Sequence, residues 1–128
     1  MRLSAVPRSV RSALAVAVAL AIAVASVVTP PASGAPDLVL GLPLDKWLHA
    51  VGYAVLAFAI GFARLARDPR ALALAWLLAA AYGLGIEGVQ AFLPARSFDP
   101  LDMVANAVGA GIGTVVWWVV ARRGLDGP

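Results

Sequence analysis

Long runs of hydrophobic residues alternate with short polar breaks along this chain of 128 residues. A helix needs about 20 mostly apolar residues to cross the hydrocarbon core of a bilayer. Four runs reach or approach this length, and each is bounded by polar residues or prolines. The pattern therefore predicts an all-α fold, a polytopic bundle of about four transmembrane helices. The runs cover residues 13–28, 47–63, 71–93 and 103–121.

The breaks between the runs divide the chain into four predicted segments. Between the first two runs, four prolines and two glycines prevent a continuous helix. The first segment also fits a secretory signal, because a basic start and an apolar run precede the small residues at positions 32–35. The first helix is thus either retained or cleaved. The segments are a first transmembrane helix (1–29), an extracytoplasmic loop (30–44), a three-helix core (45–121) and a cytoplasmic tail (122–128).

Basic residues at the helix ends predict the orientation in the membrane, because cytoplasmic loops are enriched in Lys and Arg. One side receives only Lys46 and Arg96, whereas the other receives eight arginines. Both termini are therefore predicted to be cytoplasmic. Nine Arg against one Lys is typical of a GC-rich prokaryotic genome. Together with the four hydrophobic runs, this predicts a multi-pass protein of a prokaryotic plasma membrane. The eight are Arg2, Arg8, Arg11, Arg64, Arg67, Arg70, Arg122 and Arg123.

Composition excludes several classes of protein. Hydrophobic residues make up 62% of the chain and charged residues 13%, against about 25% charged in soluble domains, so a soluble domain and a nucleic-acid-binding module are excluded. The absence of cysteine excludes disulfides, iron–sulfur clusters and thiol catalysis. A metal held by Asp45, His49, Glu87 and Asp102 is possible but has a single nitrogen ligand. The sequence therefore predicts neither a metal nor a cofactor.

Polar residues recur at helical spacing near the predicted outer ends of three helices. Each set shares one helical face. Ionisable groups inside a membrane are costly and normally face the bundle interior or a wet cavity. We therefore expect the three faces to converge in an outward-facing polar pocket, packed closely through the glycines. The sets are Asp45, His49 and Tyr53; Gly83, Glu87 and Gln90; and Asp102, Asn106, Gly109 and Gly113.

These residue types suggest a division of roles. Glu87 and His49 are candidate general bases. Lys46 and Arg96 are candidates for holding an anionic group, and the remaining binding candidates are Asp45, Tyr53, Gln90, Asp102 and Asn106.

Structural interpretations stand beside these roles. Asp45 and Asp102 fit helix N-caps, Lys46 can extend to the headgroups, and His49 fits an interhelical hydrogen bond. Tyr53 fits a packing aromatic, and the pair Trp117–Trp118 is typical of an interfacial anchor.

The order and spacing of these motifs resemble the VanZ-like family of small membrane proteins, named for a member linked to teicoplanin resistance. The resemblance covers about residues 43–115. It departs at Ala50, where a bulky aromatic is common. The resemblance implies a polytopic protein of the cell envelope, but it does not imply a particular biochemical reaction. The matching motifs are Asp45-Lys46-x-x-His49 with Tyr53, Tyr82-Gly83-x-x-x-Glu87-x-x-Gln90, Pro94-x-Arg96-Ser97 and Asp102-x-x-x-Asn106-x-x-Gly109.

Three functions follow as hypotheses. The first is binding, or chemical processing, of a cell-envelope lipid or glycan headgroup, with membrane lipids and a lipid-linked envelope precursor as partners and a link to glycopeptide resistance. The second is a non-catalytic partner subunit whose polar residues hold the helices together. A transporter is less favoured because four helices leave little room for a pathway without an oligomer, for which Gly109 and Gly113 offer a contact face. The sequence does not decide whether the protein is an enzyme.

Overall fold

The computed structural model describes residues 2–28, 34–94 and 96–125. Over these residues the chain forms four long helices, each long and apolar enough to span a membrane, which confirms the predicted all-α bundle. Ala32 and Ser33 of the predicted cleavage site and the last three residues of the predicted tail lie outside the described residues. A 3-10 turn at Leu3–Ala5 precedes the helices, which are α1 (Arg8–Val28), α2 (Leu44–Arg64), α3 (Pro69–Gln90) and α4 (Pro100–Leu125).

The helix boundaries extend beyond the hydrophobic runs. Helix α1 begins five residues before the predicted run, and α4 includes Arg122 and Arg123, which the sequence assigned to a tail. Helix α3 instead ends at Gln90, three residues short of the prediction. Arginine favours helix as strongly as most apolar residues do, so a charge marks the edge of the bilayer and need not end the helix.

Contacts between helix ends show that successive helices run antiparallel. Arg11 in the first turn of α1 is buried and donates to the carbonyls of Phe62 (3.0 Å) and Ala63 (2.9 Å) at the end of α2. Both carbonyls lie in the last turn of α2, where the Leu65 N–H also donates to that of Phe62 (3.1 Å), and a cation beside them complements the helix dipole. We call the end of the bundle that holds Arg11, Arg64, Arg70 and Arg122 the basic end, and the opposite end the polar end.

The core lies chiefly between α2 and α4. A Cβ added at Gly109 would lie 2.0 Å from the Ala50 carbonyl oxygen, and one added at Gly113 would lie 1.9 Å from that of Ala54. Only glycine permits backbones to approach so closely. The two glycines are buried in this contact, so the face predicted to serve an oligomer is used within one chain. An oligomer, which remains a prediction, would need another surface.

Trp117 closes the core at the basic end. It is 0% exposed, packs edge-on against Phe58 and donates its indole N–H to the Ala66 carbonyl (2.8 Å). A Cβ added at Gly61 would lie 2.5 Å from its ring. The interfacial-anchor interpretation is therefore wrong for Trp117. Its neighbour Trp118 is exposed, with the Arg122 guanidinium 4.6 Å from its ring centroid.

A short β-hairpin with a two-residue turn precedes α2, within the loop predicted at residues 30–44. Strands β1 (Leu38–Val39) and β2 (Leu42–Pro43) pair antiparallel. Leu40 and Gly41 between them both have positive φ, as in the type I′ turn that tight hairpins favour. The indole of Trp47 donates to the Val39 carbonyl (2.8 Å), which ties the hairpin to the first turn of α2 at the polar end.

Candidate functional site

Lys46 lies at the centre of an ion cluster at the polar end. Its ammonium donates to Asp45 (2.9 Å), Asp99 (2.6 Å) and Asp102 (2.5 Å). Its side chain is 14% exposed, so bulk water screens these pairs less than surface pairs. Lys46, predicted to hold an anionic ligand, thus already has three carboxylates around it.

Asp99 is a member of this cluster that the sequence analysis missed. Its carboxylate accepts from the Leu101 N–H (2.9 Å), and Pro100 follows as the first residue of α4. This is an N-cap followed by proline at N1, a signal present in the sequence. The Lys46 ammonium, which donates to this carboxylate, lowers the pKa of Asp99 below its ordinary value.

The N-cap interpretation is wrong for Asp45 and does not hold for Asp102. Pro43 occupies the N-cap of α2, so Asp45 lies in the first turn. In α4, Asp99 precedes the helix, so Asp102 also lies in the first turn. The two carboxylates are therefore free to face Lys46, and they also interact favourably with the positive helix N-termini.

His49 connects the ion cluster to the next layer of the bundle. Its Nδ1 lies 2.9 Å from Asn106 Oδ1, and its Nε2 lies 3.5 Å from Asp102 Oδ2. Since an amide oxygen only accepts, Nδ1 is the donor in this bond. The other ring nitrogen, Nε2, therefore faces the carboxylate of Asp102.

Glu87 enters the same layer from α3. It is 1% exposed, and its Oε2 accepts weakly from the Asp99 N–H (3.4 Å). One ligand atom each of His49, Glu87 and Asp102 lies within 4.8 Å of the others. Three helices thus bring an imidazole and two carboxylates together. We call the following seven residues the polar cluster: Asp45, Lys46, His49, Glu87, Asp99, Asp102 and Asn106.

Unpartnered polar atoms concentrate at this end of the bundle. Among the described residues, the fully buried side-chain atoms without a hydrogen bond are Tyr53 Oη, Glu87 Oε1, Arg96 Nη2 and Asn106 Nδ2. Tyr53 and Asn106 both pack over Gly83, where an added Cβ would lie 3.0 Å from the Tyr53 ring and 2.8 Å from Asn106 Nδ2. Leaving such a group unpaired costs about 1–3 kcal/mol, and the uncompensated groups lie at one end only.

Gln90 makes its contact outside the polar cluster. Its amide donates to the Ser26 carbonyl at the end of α1 (3.0 Å), and Tyr82 likewise donates to the Ala19 carbonyl (2.6 Å). These bonds attach α3 to α1, whereas the polar cluster lies among α2, α3 and α4. Gln90 lies on the same helical face as Glu87, as its spacing predicted. It lies nearly one turn farther along α3, and there its side chain contacts α1 instead of the polar cluster.

The side chains of the cluster become more buried toward the interior of the bundle. Exposure of the side chain falls from 55% for Asp45 to 14% for Asp102, and Glu87 lies deepest. Of the sequence-predicted site residues, the structure joins those of the polar cluster through the hydrogen bonds and ion pairs described above, and it sets Tyr53 beside Asn106. A ligand pocket at this end remains a prediction.

The comparisons with known proteins agree with the motifs at this end. The family model described as VanZ/LLP1 matches residues 24–121, which extends beyond the predicted resemblance on both sides and contains every residue of the polar cluster. No curated protein and no solved structure matched the chain. Because the family model covers more than half of the sequence, the chain belongs to the VanZ/LLP1 family.

Proposed function

We propose that this VanZ-family membrane protein binds the headgroup of a cell-envelope lipid or lipid-linked glycan at its polar end. The observation that carries the proposal is the concentration of buried, unpartnered polar atoms there. Buried polar groups in native proteins normally have partners. A set confined to one end of the bundle is therefore best explained by a ligand that supplies them.

The chemistry of the unpartnered atoms defines the class of ligand. Glu87 Oε1 accepts hydrogen bonds, whereas Arg96 Nη2 and Asn106 Nδ2 donate them, and the Tyr53 hydroxyl does both. A headgroup that carries hydroxyl or amino groups together with a phosphate matches this mixture. Arg96 is the candidate for the phosphate, because the Lys46 ammonium is bound by three carboxylates.

Two substitutions test the proposal. Glu87→Gln and Arg96→Ala remove an acceptor and a donor at the polar end. Asp37→Asn and Arg70→Ala are matched controls, since both side chains are exposed. Native mass spectrometry of protein extracted in mild detergent should find a copurifying lipid with the wild type and both controls, and a loss of that lipid in the two test variants. Equal lipid retention in all five proteins would contradict the proposal.

The same variants test the link to resistance. In a glycopeptide-sensitive Gram-positive host, the wild type should protect against teicoplanin more than against vancomycin, and Glu87→Gln should lose this protection at equal membrane abundance. If the wild type gave no protection, the proposed link to resistance would be wrong. Headgroup binding would still be tested by the lipid measurement.

A non-catalytic partner subunit is the second candidate function. Lys46 bonds to Asp99 and Asp102, and His49 bonds to Asn106, so the polar cluster also fastens α2 to α4. In that case Glu87→Gln should lower the unfolding midpoint in detergent and leave any copurifying lipid unchanged. Unaltered melting with loss of lipid would instead favour headgroup binding.

A further inference from the structure

The charges of the polar cluster do not balance. It contains four carboxylates, those of Asp45, Glu87, Asp99 and Asp102, against the single ammonium of Lys46. With His49 neutral and all four carboxylates ionised, the cluster has an excess of three negative charges. Charges at membrane depth normally pair with opposite charges. Lys46 lies toward the rim beside the aspartates. Among the described residues, the deepest carboxylate, Glu87, forms no ion pair.

His49 adds a second observation that points to a cation. Nδ1 donates to Asn106, and in a neutral ring the lone pair of Nε2 would face Asp102 Oδ2 at 3.5 Å. The two atoms then need a positive charge between them, which either a proton on Nε2 or a bound cation supplies. Metal-ligating histidines are typically oriented in this way, with the second ring nitrogen donating to a carbonyl or carboxylate. Asn106 provides such an oxygen.

The distance between His49 and Asp102 fits a small metal ion. Zinc binds imidazole nitrogen and carboxylate oxygen at about 2.0–2.2 Å, so two ligands at a tetrahedral angle lie about 3.4 Å apart. The distance from Nε2 to Asp102 Oδ2 is 3.5 Å. One Glu87 oxygen lies within 4.8 Å of both other ligand atoms, so a shift of this side chain would bring it to the spacing of about 3.4 Å in a tetrahedral site. Its Oε1 is buried without a hydrogen bond.

From this geometry we infer that His49, Glu87 and Asp102 form a binding site for a divalent first-row metal ion, with Zn²⁺ as the best match. One nitrogen and two oxygen ligands suit zinc better than Mg²⁺ or Ca²⁺, which prefer oxygen ligands alone and more of them. Three protein ligands leave the fourth tetrahedral position for an exogenous oxygen. Asp102 binds through Oδ2, because its Oδ1 accepts from Lys46.

Glu87 takes part in both proposals, but metal binding can be measured separately from headgroup binding. A bound divalent ion lowers the negative excess of the cluster from three charges to one. An open coordination position at this end would accept a phosphate or hydroxyl oxygen, so the two proposals are compatible. The metal itself serves as the probe, and its binding is measured without any lipid.

Zinc binding is tested on the full-length protein in micelles of uncharged detergent, treated with chelator and freed of any histidine tag. We expect one Zn²⁺ per chain in a competition titration with a chromophoric chelator. Glu87→Gln and His49→Gln should weaken binding by at least ~100-fold, and Asn106→Ala by ~10–100-fold, the range typical of residues that orient a ligand. The matched control is Asp37→Asn, which alters an exposed carboxylate outside the cluster and should change binding less than tenfold.

The single histidine permits a second test that needs no variant. Nitrogen NMR of the imidazole reports on His49 alone, because the chain has one His. The metal-free protein should show a protonated Nδ1 and a bare Nε2, and Zn²⁺ should shift Nε2 selectively. Co²⁺ should give the visible absorption of a tetrahedral site. An imidazole protonated on both nitrogens and unmoved by Zn²⁺, or binding that survives both His49→Gln and Glu87→Gln, would overturn the inference.

Discussion

The contact between α2 and α4 makes a sharp prediction about Gly113. A Cβ at this position would lie 1.9 Å from the Ala54 carbonyl oxygen. Observed Cβ contacts are essentially never shorter than 3.0 Å, so Gly113→Ala forces the two helices apart by at least about 1.1 Å. A gap of 0.5–1 Å already forfeits about a quarter to a half of the dispersion attraction between facing atoms.

The expected cost is about 3 kcal/mol in the free energy of unfolding, toward the upper end of the range for overpacked cores. The obstacle is backbone rather than a flexible side chain, so the contact has no local way to relax. Gly111→Ala is the matched control in the same helix, because its Cβ would meet only Trp76 at an ordinary 3.7 Å. It should stabilise by about 0.5–1 kcal/mol through helix propensity.

Reversible unfolding in mixed micelles, driven by an increasing fraction of dodecyl sulfate and followed by far-UV circular dichroism, measures both variants. Gly109→Ala should resemble Gly113→Ala and should also separate His49 from Asn106, because Gly109 packs on Ala50 beside that bond. A Gly113→Ala protein as stable as Gly111→Ala would refute the close approach of the two backbones. Stability lost in both variants would point to crowding on α4 generally.

Three further predictions concern the two ends of the bundle. Trp117→Phe should cost about 1–3 kcal/mol by leaving a buried carbonyl unpaired, whereas Trp118→Phe on the exposed surface should change the unfolding midpoint little. Arg11→Ala removes the side chain that binds two carbonyls ending α2 and should lower thermal stability more than Arg8→Ala at an exposed site, as differential scanning fluorimetry would measure. Because the folded-state pKa of Asp99 lies below its unfolded value, its stabilisation is complete above the unfolded pKa and is lost as the pH falls through the folded one. Unfolding midpoints between about pH 3 and 7 should therefore fall more steeply with acid for the wild type than for Asp99→Asn, and parallel curves would contradict this role.

The sequence predicts some features of the polar cluster, and the packing of the helices against each other decides the rest. Helical spacing places His49 four residues after Asp45, and Asn106 four residues after Asp102, so the sequence alone predicts which residues share a face. Which face meets which neighbour is a tertiary property. Gln90 shows the difference, since it shares the face of Glu87 by spacing but donates to Ser26 on α1.

Two other features show the same division. A tryptophan near a helix end is ambiguous in sequence, because an aromatic ring suits both a membrane interface and a core. In the folded chain, the indole of Trp117 donates to the Ala66 carbonyl in the turn after α2, and this hydrogen bond favours the buried position of the ring. Likewise, small residues at Gly109 and Gly113 predict a close helix contact, and only the folded chain identifies α2 as the partner.

The sequence by itself determined the membrane-spanning fold, the number of helices and the concentration of polar residues near one set of helix ends. These follow from the length of the hydrophobic runs and from the high cost of placing charge in a bilayer, which are local properties of the chain. The tertiary structure decided that Lys46 is bound by three carboxylates, and that His49, Glu87 and Asp102 meet within 4.8 Å. These pairings join residues of different helices, and they depend on the rotation and separation of those helices, which glycine packing between α2 and α4 fixes.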